Sequence, residues 1–408
     1  MEKTTRISVL PFESGRTYLD SGLVVFRESY DYFKKWRNFL LEDSATVEDN
    51  RGIEFGLTIK HESVHFIQGI TTGLLPGYSL RVIKSAGAVL TALRNGQNLH
   101  EAKEQFTSSF CTLKREYNGI SITDILEGVA VVESFKLSFQ DASSARFAFV
   151  IERLFPVKET REQYTKTFRL LASKVGEVDS LAFLSPLSFI ALNFDAPERA
   201  FHDLISTLTP EKVNKLRGKS AAELFSHLGL DYRKHFLFAI NECPPQDRHP
   251  ILFPCIKYAL DKLGASLLFE IGARPSLLKS LPLTAAQRIS LLPPFSIYST
   301  ASNRDQYFGA HGLAKENEDL TQVALYLSAT IGVAERLTFL EKQDVYQFCP
   351  QSRQCPHYDS ALCHRWFAPP PSTREWESCG FAEAFEIAIG KRLDEVWKEK
   401  NIHELCSE

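Results

Sequence analysis

The segment His61-Glu62-Ser63-Val64-His65 has the residue types and the spacing of a metal-dependent hydrolase site. On an α-helix, residues four apart lie one above the other on the same face, so both imidazoles can bind one metal ion. Imidazole nitrogens bind Zn2+ at roughly 2.0–2.1 Å. Glu62 lies about 100° around the helix from His61, at the edge of such a site. There it can accept a proton from a metal-activated water as general base, instead of binding the metal.

The residues around this motif predict a buried helix over about 53–75. One face carries the two histidines together with Leu57, Val64 and Gln68, and the opposite side carries Ile59, Phe66, Ile67 and Ile70. A helix that is apolar on its back and flanks is buried against other elements. Buried polar side chains need partners, and a metal ion would be one for these histidines. The alternative is a surface helix with two unconnected histidines, which this apolar pattern disfavours.

A catalytic zinc needs a third protein ligand, and Glu127 in the segment SITDILEGVAVVESF is the candidate. The small residues Gly128 and Ala130 next to it would let its helix, over about 121–140, approach the first helix closely. Ser121 followed by Asp124 matches a capping box, which predicts that this helix starts near Ser121. Glu133 is a rival ligand about 120° away around the helix, and a solvated or salt-bridged carboxylate is the preferred interpretation of it.

HESVH, followed downstream by a helix with Glu-Gly-x-Ala, resembles the gluzincin branch of zinc metallopeptidases over residues 53–135. The resemblance implies that His61, His65 and Glu127 bind a catalytic Zn2+ and that Glu62 is the general base. It also implies a zincin-like helical core and hydrolysis of peptide bonds in a protein or peptide substrate.

Two departures from known zinc peptidase patterns stand out. Many gluzincins carry an aspartate four residues after the ligand glutamate, where this chain has Val131. Asp124 lies one turn earlier on the same face and could replace it, although a capping role suits Asp124 better. The extended histidine motif of metzincins is absent, because positions 68 and 71 are Gln and Thr.

The sequence leaves the extra donor for a developing oxyanion unassigned. His202, Arg304, Tyr307 and His311 are candidates without a motif around them. Two alternatives to a peptidase also remain open. One is a helical interaction or regulatory protein with structural metal sites only, in which Glu62 would be dispensable. The other is a metal-dependent hydrolase of a non-peptide substrate.

Cys349, Cys355, Cys363 and Cys379 form a second constellation near the C-terminus. Thiolates clustered in a proline-rich segment suggest a structural Zn2+ that replaces a missing core, and an iron–sulfur cluster is the less favoured alternative. The spacing lacks a Cys-x2-Cys pair, so reduced cysteines that bind no metal are an equally open interpretation. We expect residues 346–408 to form a Cys-rich module with a final helix, after a peptidase region over residues 1–345.

Composition and periodicity predict a mainly α protein of the α+β type with a short N-terminal β element. The predicted strands are residues 6–12 and 22–27, around a Ser-Gly-Arg turn. The net charge of −3 gives no reason to expect nucleic acid, and no segment is long and apolar enough for a membrane span. Few cysteines and an N-terminus without the apolar core of a signal peptide favour a cytoplasmic location. The chain length leaves room for a regulatory protein partner.

Overall fold

The structure is a computed structural model that describes residues 15–18, 23–26, 50–139, 142–300, 303–309, 316–338, 386 and 388–390. These residues are mostly helical, which confirms the mainly α prediction. The predicted strand over residues 6–12, the four C-terminal cysteines and most of the predicted final helix lie outside them. None of the helices in this part of the chain is both long enough and apolar enough to cross a membrane.

The helices vary in length from four residues to 23. In chain order they are α1 (Asn50–Thr71), α2 (Leu74–Asn95), α3 (His100–Phe110), α4 (Ile122–Ser138), α5 (Ser144–Leu154), α6 (Lys158–Tyr164), α7 (Lys166–Val175), α8 (Glu177–Ala191), α9 (Pro197–Ser206), α10 (Pro210–Leu216), α11 (Ala221–His227), α12 (Phe236–Ala239), α13 (Leu252–Leu263), α14 (Ala265–Ala273), α15 (Ala285–Ile289) and α16 (Glu316–Thr338). Five short 3-10 helices join them: Cys111–Lys114, Tyr232–Lys234, Ile240–Glu242, Pro245–Asp247 and Pro275–Lys279.

Six strands are present among the described residues, in two small sheets. They are β1 (Gly15–Tyr18), β2 (Leu23–Phe26), β3 (Glu116–Tyr117), β4 (Ile120–Ser121), β5 (Phe295–Thr300) and β6 (Asn303–Gly309). The larger sheet has the order β1-β2-β5-β6, in which β2 pairs parallel with β5 and the other pairs are antiparallel. The strand predicted over residues 22–27 is confirmed as β2. The predicted Ser-Gly-Arg turn is wrong, because Gly15 and Arg16 belong to β1 and pair with Phe26 and Val25.

Apolar side chains form two clusters in the described part of the chain. The larger one contains buried apolar residues of α1 and α4 and the apolar faces of the helices from α5 to α14. The smaller one joins α2 and α3 to α16, together with Ala388 and Ile389. The two helices that carry the predicted metal ligands, α1 and α4, therefore lie inside the larger core, where surrounding helices fix their relative position.

Candidate metal centre

Helix α1 presents His61 and His65 from a buried position, as its apolar pattern predicts. His61 and His65 are 3% and 5% exposed, and the apolar residues around them, Val64 and Ile67 among others, are almost fully buried. The interpretation as a surface helix with unconnected histidines is therefore wrong. The imidazole rings lie 4.7 Å apart, one turn from each other on the same face.

The carboxylate of Glu127 on α4 meets both imidazoles. Its Oε2 lies 3.1 Å from His61 Nε2, its Oε1 lies 3.5 Å from His65 Nε2, and the two Nε2 atoms are 3.1 Å apart. Ligands about 2.05 Å from a tetrahedral ion are separated from one another by about 3.3 Å. The three side chains are the cluster of potential metal ligands found among the described residues, and their donor set fits Zn2+. Glu127 is 30% exposed, so this side of the cluster opens to solvent.

Helices α1 and α4 run antiparallel, and polar contacts fix their register. Lys60 Nζ donates to the carbonyl of Leu137 at 3.1 Å, whereas Gln68 Nε2 donates to the carbonyl of Leu126 at 3.2 Å. A later residue of α1 thus contacts an earlier residue of α4. His61 and His65 lie between Lys60 and Gln68 on α1, which places them opposite the turn that carries Glu127.

The start of α4 follows its capping sequence. The Ser121 hydroxyl accepts from the backbone N–H of Asp124, and the Asp124 carboxylate accepts from the backbone N–H of Ser121 and from Lys166 Nζ. This reciprocal pair satisfies backbone donors that a helix leaves open at its N-terminus. The predicted capping role of Asp124 is confirmed.

The neighbouring side chains hold Glu133 and Val131 away from the ligand cluster. Glu133 is fully buried, and its carboxylate accepts from Lys136 Nζ, the Ser185 hydroxyl and the backbone N–H of Ser276. Burial raises the pKa of Glu133, but the Lys136 charge and these hydrogen bonds lower it overall. The salt-bridged interpretation of Glu133 is thus confirmed and the solvated one is wrong. Val131 is buried in the apolar core.

Gly128 serves a different contact from the one its position predicts. A Cβ atom built on Gly128 would overlap the hydroxyl of Thr167 and lie 3.3 Å from the Thr167 Cβ. The missing side chain therefore admits α7, not α1. The close packing of α1 and α4 around the cluster does not depend on it.

The electrostatics of the cluster link His65 and Glu127. Burial disfavours the charged form of both groups, yet the attraction of the Glu127 carboxylate and its hydrogen bond raise the pKa of His65 to about 9. The two imidazoles in turn lower the pKa of Glu127 well below its usual value. Both shifts favour an imidazolium–carboxylate pair while no metal is bound. A metal ion that binds here must displace the proton of His65.

Glu62 is held by a residue of the N-terminal sheet. The hydroxyl of Thr17 on β1 lies 2.6 Å from Glu62 Oε2 and 3.3 Å from the Glu62 carbonyl oxygen. Glu62 is 3% exposed, and its charge helps to raise the pKa of His65. Glu62 is not a member of the ligand cluster.

Three nearby side chains make contacts that the sequence analysis did not identify. Gln68 Oε1 lies 2.9 Å from His65 Nδ1, a contact that the i,i+3 spacing could have indicated. The Tyr164 ring lies 6.4 Å from the His61 ring and stacks on Phe155 at 4.8 Å. Neither Tyr164 nor Thr17 has a local signal, because tertiary folding alone brings them to α1.

The sequence candidates for an extra donor are not placed at the cluster by any contact described here. His202 on α9 contacts Tyr117 and Asn118 of the β3–β4 hairpin instead. Arg304 and Tyr307 belong to β6, for which the backbone is described, and His311 lies outside the described residues.

Comparison of the chain with models of known protein families, with curated proteins and with solved structures found no match.

Proposed function

We propose that the chain is a zinc-dependent metallopeptidase of the gluzincin type. The observation that supports this proposal is the convergence of His61, His65 and Glu127, which offer three ligand atoms within 4.8 Å of one another. Two imidazole nitrogens and one carboxylate oxygen are a ligand set of catalytic zinc sites, and such sites keep one position open. The 30% exposure of the Glu127 side chain supports access to this site from solvent.

Zinc, when bound, supplies a Lewis acid that polarises a carbonyl and lowers the pKa of water. Glu62 takes the proton of the attacking water and passes it to the nitrogen of the leaving amine. Its Oε2 is engaged by Thr17, so Oε1 is the oxygen free to accept that proton. The carbonyl carbon gains an oxygen and the amide bond breaks, which completes hydrolysis.

Tyr164 is our candidate for the donor that stabilises the oxyanion. Its ring lies 6.4 Å from that of His61 and is held by stacking on Phe155, and a phenol is a neutral donor suited to this role. A Tyr164→Phe variant removes only the hydroxyl, so we expect kcat to fall while zinc content stays unchanged.

A protein or peptide substrate, a cytoplasmic location and a structural zinc on the C-terminal cysteines remain part of this proposal. A separate metal count tests the cysteine site, since Cys355→Ser should remove a second zinc without affecting the first.

The Glu62→Gln variant tests the catalytic proposal. The substitution keeps size and hydrogen bonding but removes the base, so we expect full zinc content and loss of turnover. The assay is cleavage of a mixed peptide library followed by mass spectrometry, with His61→Ala as the zinc-free control. Cleavage by Glu62→Gln at the wild-type rate would contradict the mechanism. Zinc binding by a wild type that cleaves no peptide would favour a structural metal site or a non-peptide substrate.

The Glu127→Gln variant tests the third ligand, and Glu133→Gln is its matched control on the same helix. Removing the Glu127 charge should weaken zinc binding by roughly tenfold or more, because a carboxylate ligand becomes a neutral amide. Glu133→Gln should lower stability but keep zinc affinity, since Glu133 is already bonded to Lys136, Ser185 and Ser276. Competition with a chromophoric chelator measures both affinities. The opposite ranking would transfer the ligand role to Glu133.

A further inference from the structure

Gln68 joins a metal-binding histidine to the helix that carries the third ligand. It is 3% exposed and lies on α1 three residues after His65. Its Oε1 is 2.9 Å from His65 Nδ1, and its Nε2 donates to the Leu126 carbonyl on α4 at 3.2 Å. Leu126 directly precedes Glu127. Both ends of the amide are thus engaged within the proposed metal site.

The Leu126 carbonyl fixes the orientation of this amide. The oxygen and nitrogen of a glutamine side chain have nearly the same shape, so the hydrogen-bond partners decide which end points where. A backbone carbonyl can only accept, so the end that faces Leu126 must be the NH2 group. The opposite orientation would set two oxygens against each other in a buried position, which is costly. The amide oxygen therefore faces His65.

The amide oxygen in turn fixes the tautomer of His65. Because it can only accept, His65 Nδ1 must carry a hydrogen and donate it. A neutral imidazole with its hydrogen on Nδ1 has its lone pair on Nε2. Nε2 is the atom that lies 3.1 Å from His61 Nε2 and 3.5 Å from Glu127 Oε1. The Leu126 carbonyl of α4 thus orients the Gln68 amide, and the amide in turn leaves His65 Nε2 as the nitrogen with the lone pair.

We infer that Gln68 is a positioning residue that makes His65 bind the metal through Nε2, with an orientation dictated by the Leu126 carbonyl. This inference rests on the proposed zinc site. It means that α4 contributes twice: Glu127 provides a ligand, and Leu126 selects the ligating nitrogen of a histidine on the other helix. The orienting group lies on α1 itself, while the α4 position at Val131 is apolar and buried.

The test compares Gln68→Met with Lys60→Met. Both wild-type residues tie α1 to a backbone carbonyl of α4, but Gln68 also contacts His65. Both substitutions leave an unbranched apolar side chain. If Gln68 acted only by holding the helices together, the two variants would behave alike. Gln68→Glu is the third variant, because it keeps an acceptor for His65 Nδ1–H and loses the donor to Leu126.

The first readout is zinc affinity, measured on metal-free protein by competition with a chromophoric chelator. We expect Gln68→Met to bind zinc roughly 10- to 100-fold more weakly, the usual effect of removing the hydrogen-bond partner of a ligating histidine. Lys60→Met should stay within a few-fold of wild type. Gln68→Glu should bind zinc more tightly than Gln68→Met, because an acceptor still faces His65 Nδ1. An affinity loss in Gln68→Met no greater than in Lys60→Met would overturn the inference.

The second readout needs no variant and no activity. Long-range proton–nitrogen NMR spectra of zinc-loaded wild type with 15N-labelled histidine report which nitrogen of His65 binds the metal. We expect a metal-bound Nε2 and a protonated Nδ1; coordination through Nδ1 would overturn the inference. If the wild type bound no zinc at His61 and His65, both the proposed function and the inference about Gln68 would fail. If zinc bound tightly and with the same affinity in the Gln68 variants, only the inference would fail.

Discussion

A single hydroxyl from outside the helix controls the orientation of Glu62. Thr17 contacts both the carboxylate and the backbone oxygen of Glu62, although 45 residues separate the two in sequence. A carboxylate held at one oxygen presents the other in a fixed direction, and orientation of this kind contributes to proton transfer.

The Thr17→Val variant tests this contact, since valine keeps the shape of threonine but lacks the hydroxyl. A hydrogen bond to a charged group contributes about 1.5–3 kcal/mol, so we expect kcat to fall by roughly tenfold or more. KM and zinc content should change little, because Thr17 is not a ligand. Thr17→Ser keeps a hydroxyl and should restore most of the rate. Wild-type kcat in Thr17→Val would show that Glu62 is held adequately without it.

The sequence alone indicated the candidate residues whose signals are local to one helix. His61, Glu62 and His65 follow from helical spacing, and Glu127 follows from a capped apolar helix with a carboxylate in its second turn. Thr17 and Tyr164 could not be found in this way. Their role depends on which elements pack against α1, and neither composition nor periodicity encodes that.

Polar and close contacts on two sides hold helix α4 in the core. On one side the Glu133 carboxylate bonds to α8 through Ser185 and to the Pro275–Lys279 turn through Ser276. On another side Gly128 admits Thr167 of α7, whose hydroxyl donates to the Asp124 carbonyl at 3.3 Å. The contacts at Asp124 and Gly128 flank Glu127, so the position of Glu127 depends on how α4 packs.

The Gly128→Ala variant tests the second contact, with Gly87→Ala as the matched control inside α2. Alanine at 128 must displace Thr167, and overpacking of this kind costs about 1–3 kcal/mol of unfolding free energy. At Gly87 a Cβ atom would meet no neighbour within 4 Å, so alanine should stabilise the helix by about 0.5–1 kcal/mol. Urea unfolding measures both. Equal effects at the two positions would contradict the close α4–α7 packing.

The boundaries of α4 were predictable because the sequence signals for its start and its apolar period are local. Ser121 and Asp124 provide the cap, and the apolar residues that follow keep one period. The larger sheet was predictable only in part. Strand β2 pairs with β5 across some 270 residues of sequence, with Val24 opposite Ser296, and no local pattern specifies such a pairing.

The mainly α prediction is confirmed because helical periodicity dominates the chain, but the pairs of helices that pack together did not follow from that periodicity. Helix α16 joins α2 and α3 in the smaller cluster, while its residues Ala324 and Leu327 belong to the larger one. An apolar face predicts that a helix is buried, but shape complementarity across the core determines which helix it packs against.

The larger core also contains a histidine whose protonation should limit acid stability. His235 is 6% exposed and surrounded by the rings of Phe189, Phe225, Phe236 and Phe269 at centroid distances of 4.9–6.4 Å. Its Nδ1 accepts from the backbone N–H of Leu237, which caps α12. Burial lowers the pKa of His235 from 6.5 to about 3. The folded protein therefore keeps this ring neutral at pH values where the unfolded chain protonates it.

The sign of the pH effect follows from this difference. Below pH 6.5 the unfolded chain binds a proton that the folded protein refuses until about pH 3, so acid favours unfolding across that window. This group alone should lower the unfolding free energy by about 1.4 kcal/mol per pH unit there. His235→Asn keeps an acceptor for Leu237 but cannot titrate, so its stability should start lower and fall less steeply with acid. Urea unfolding of both proteins across the window measures the two slopes, and parallel slopes would show that His235 is protonated in the folded state.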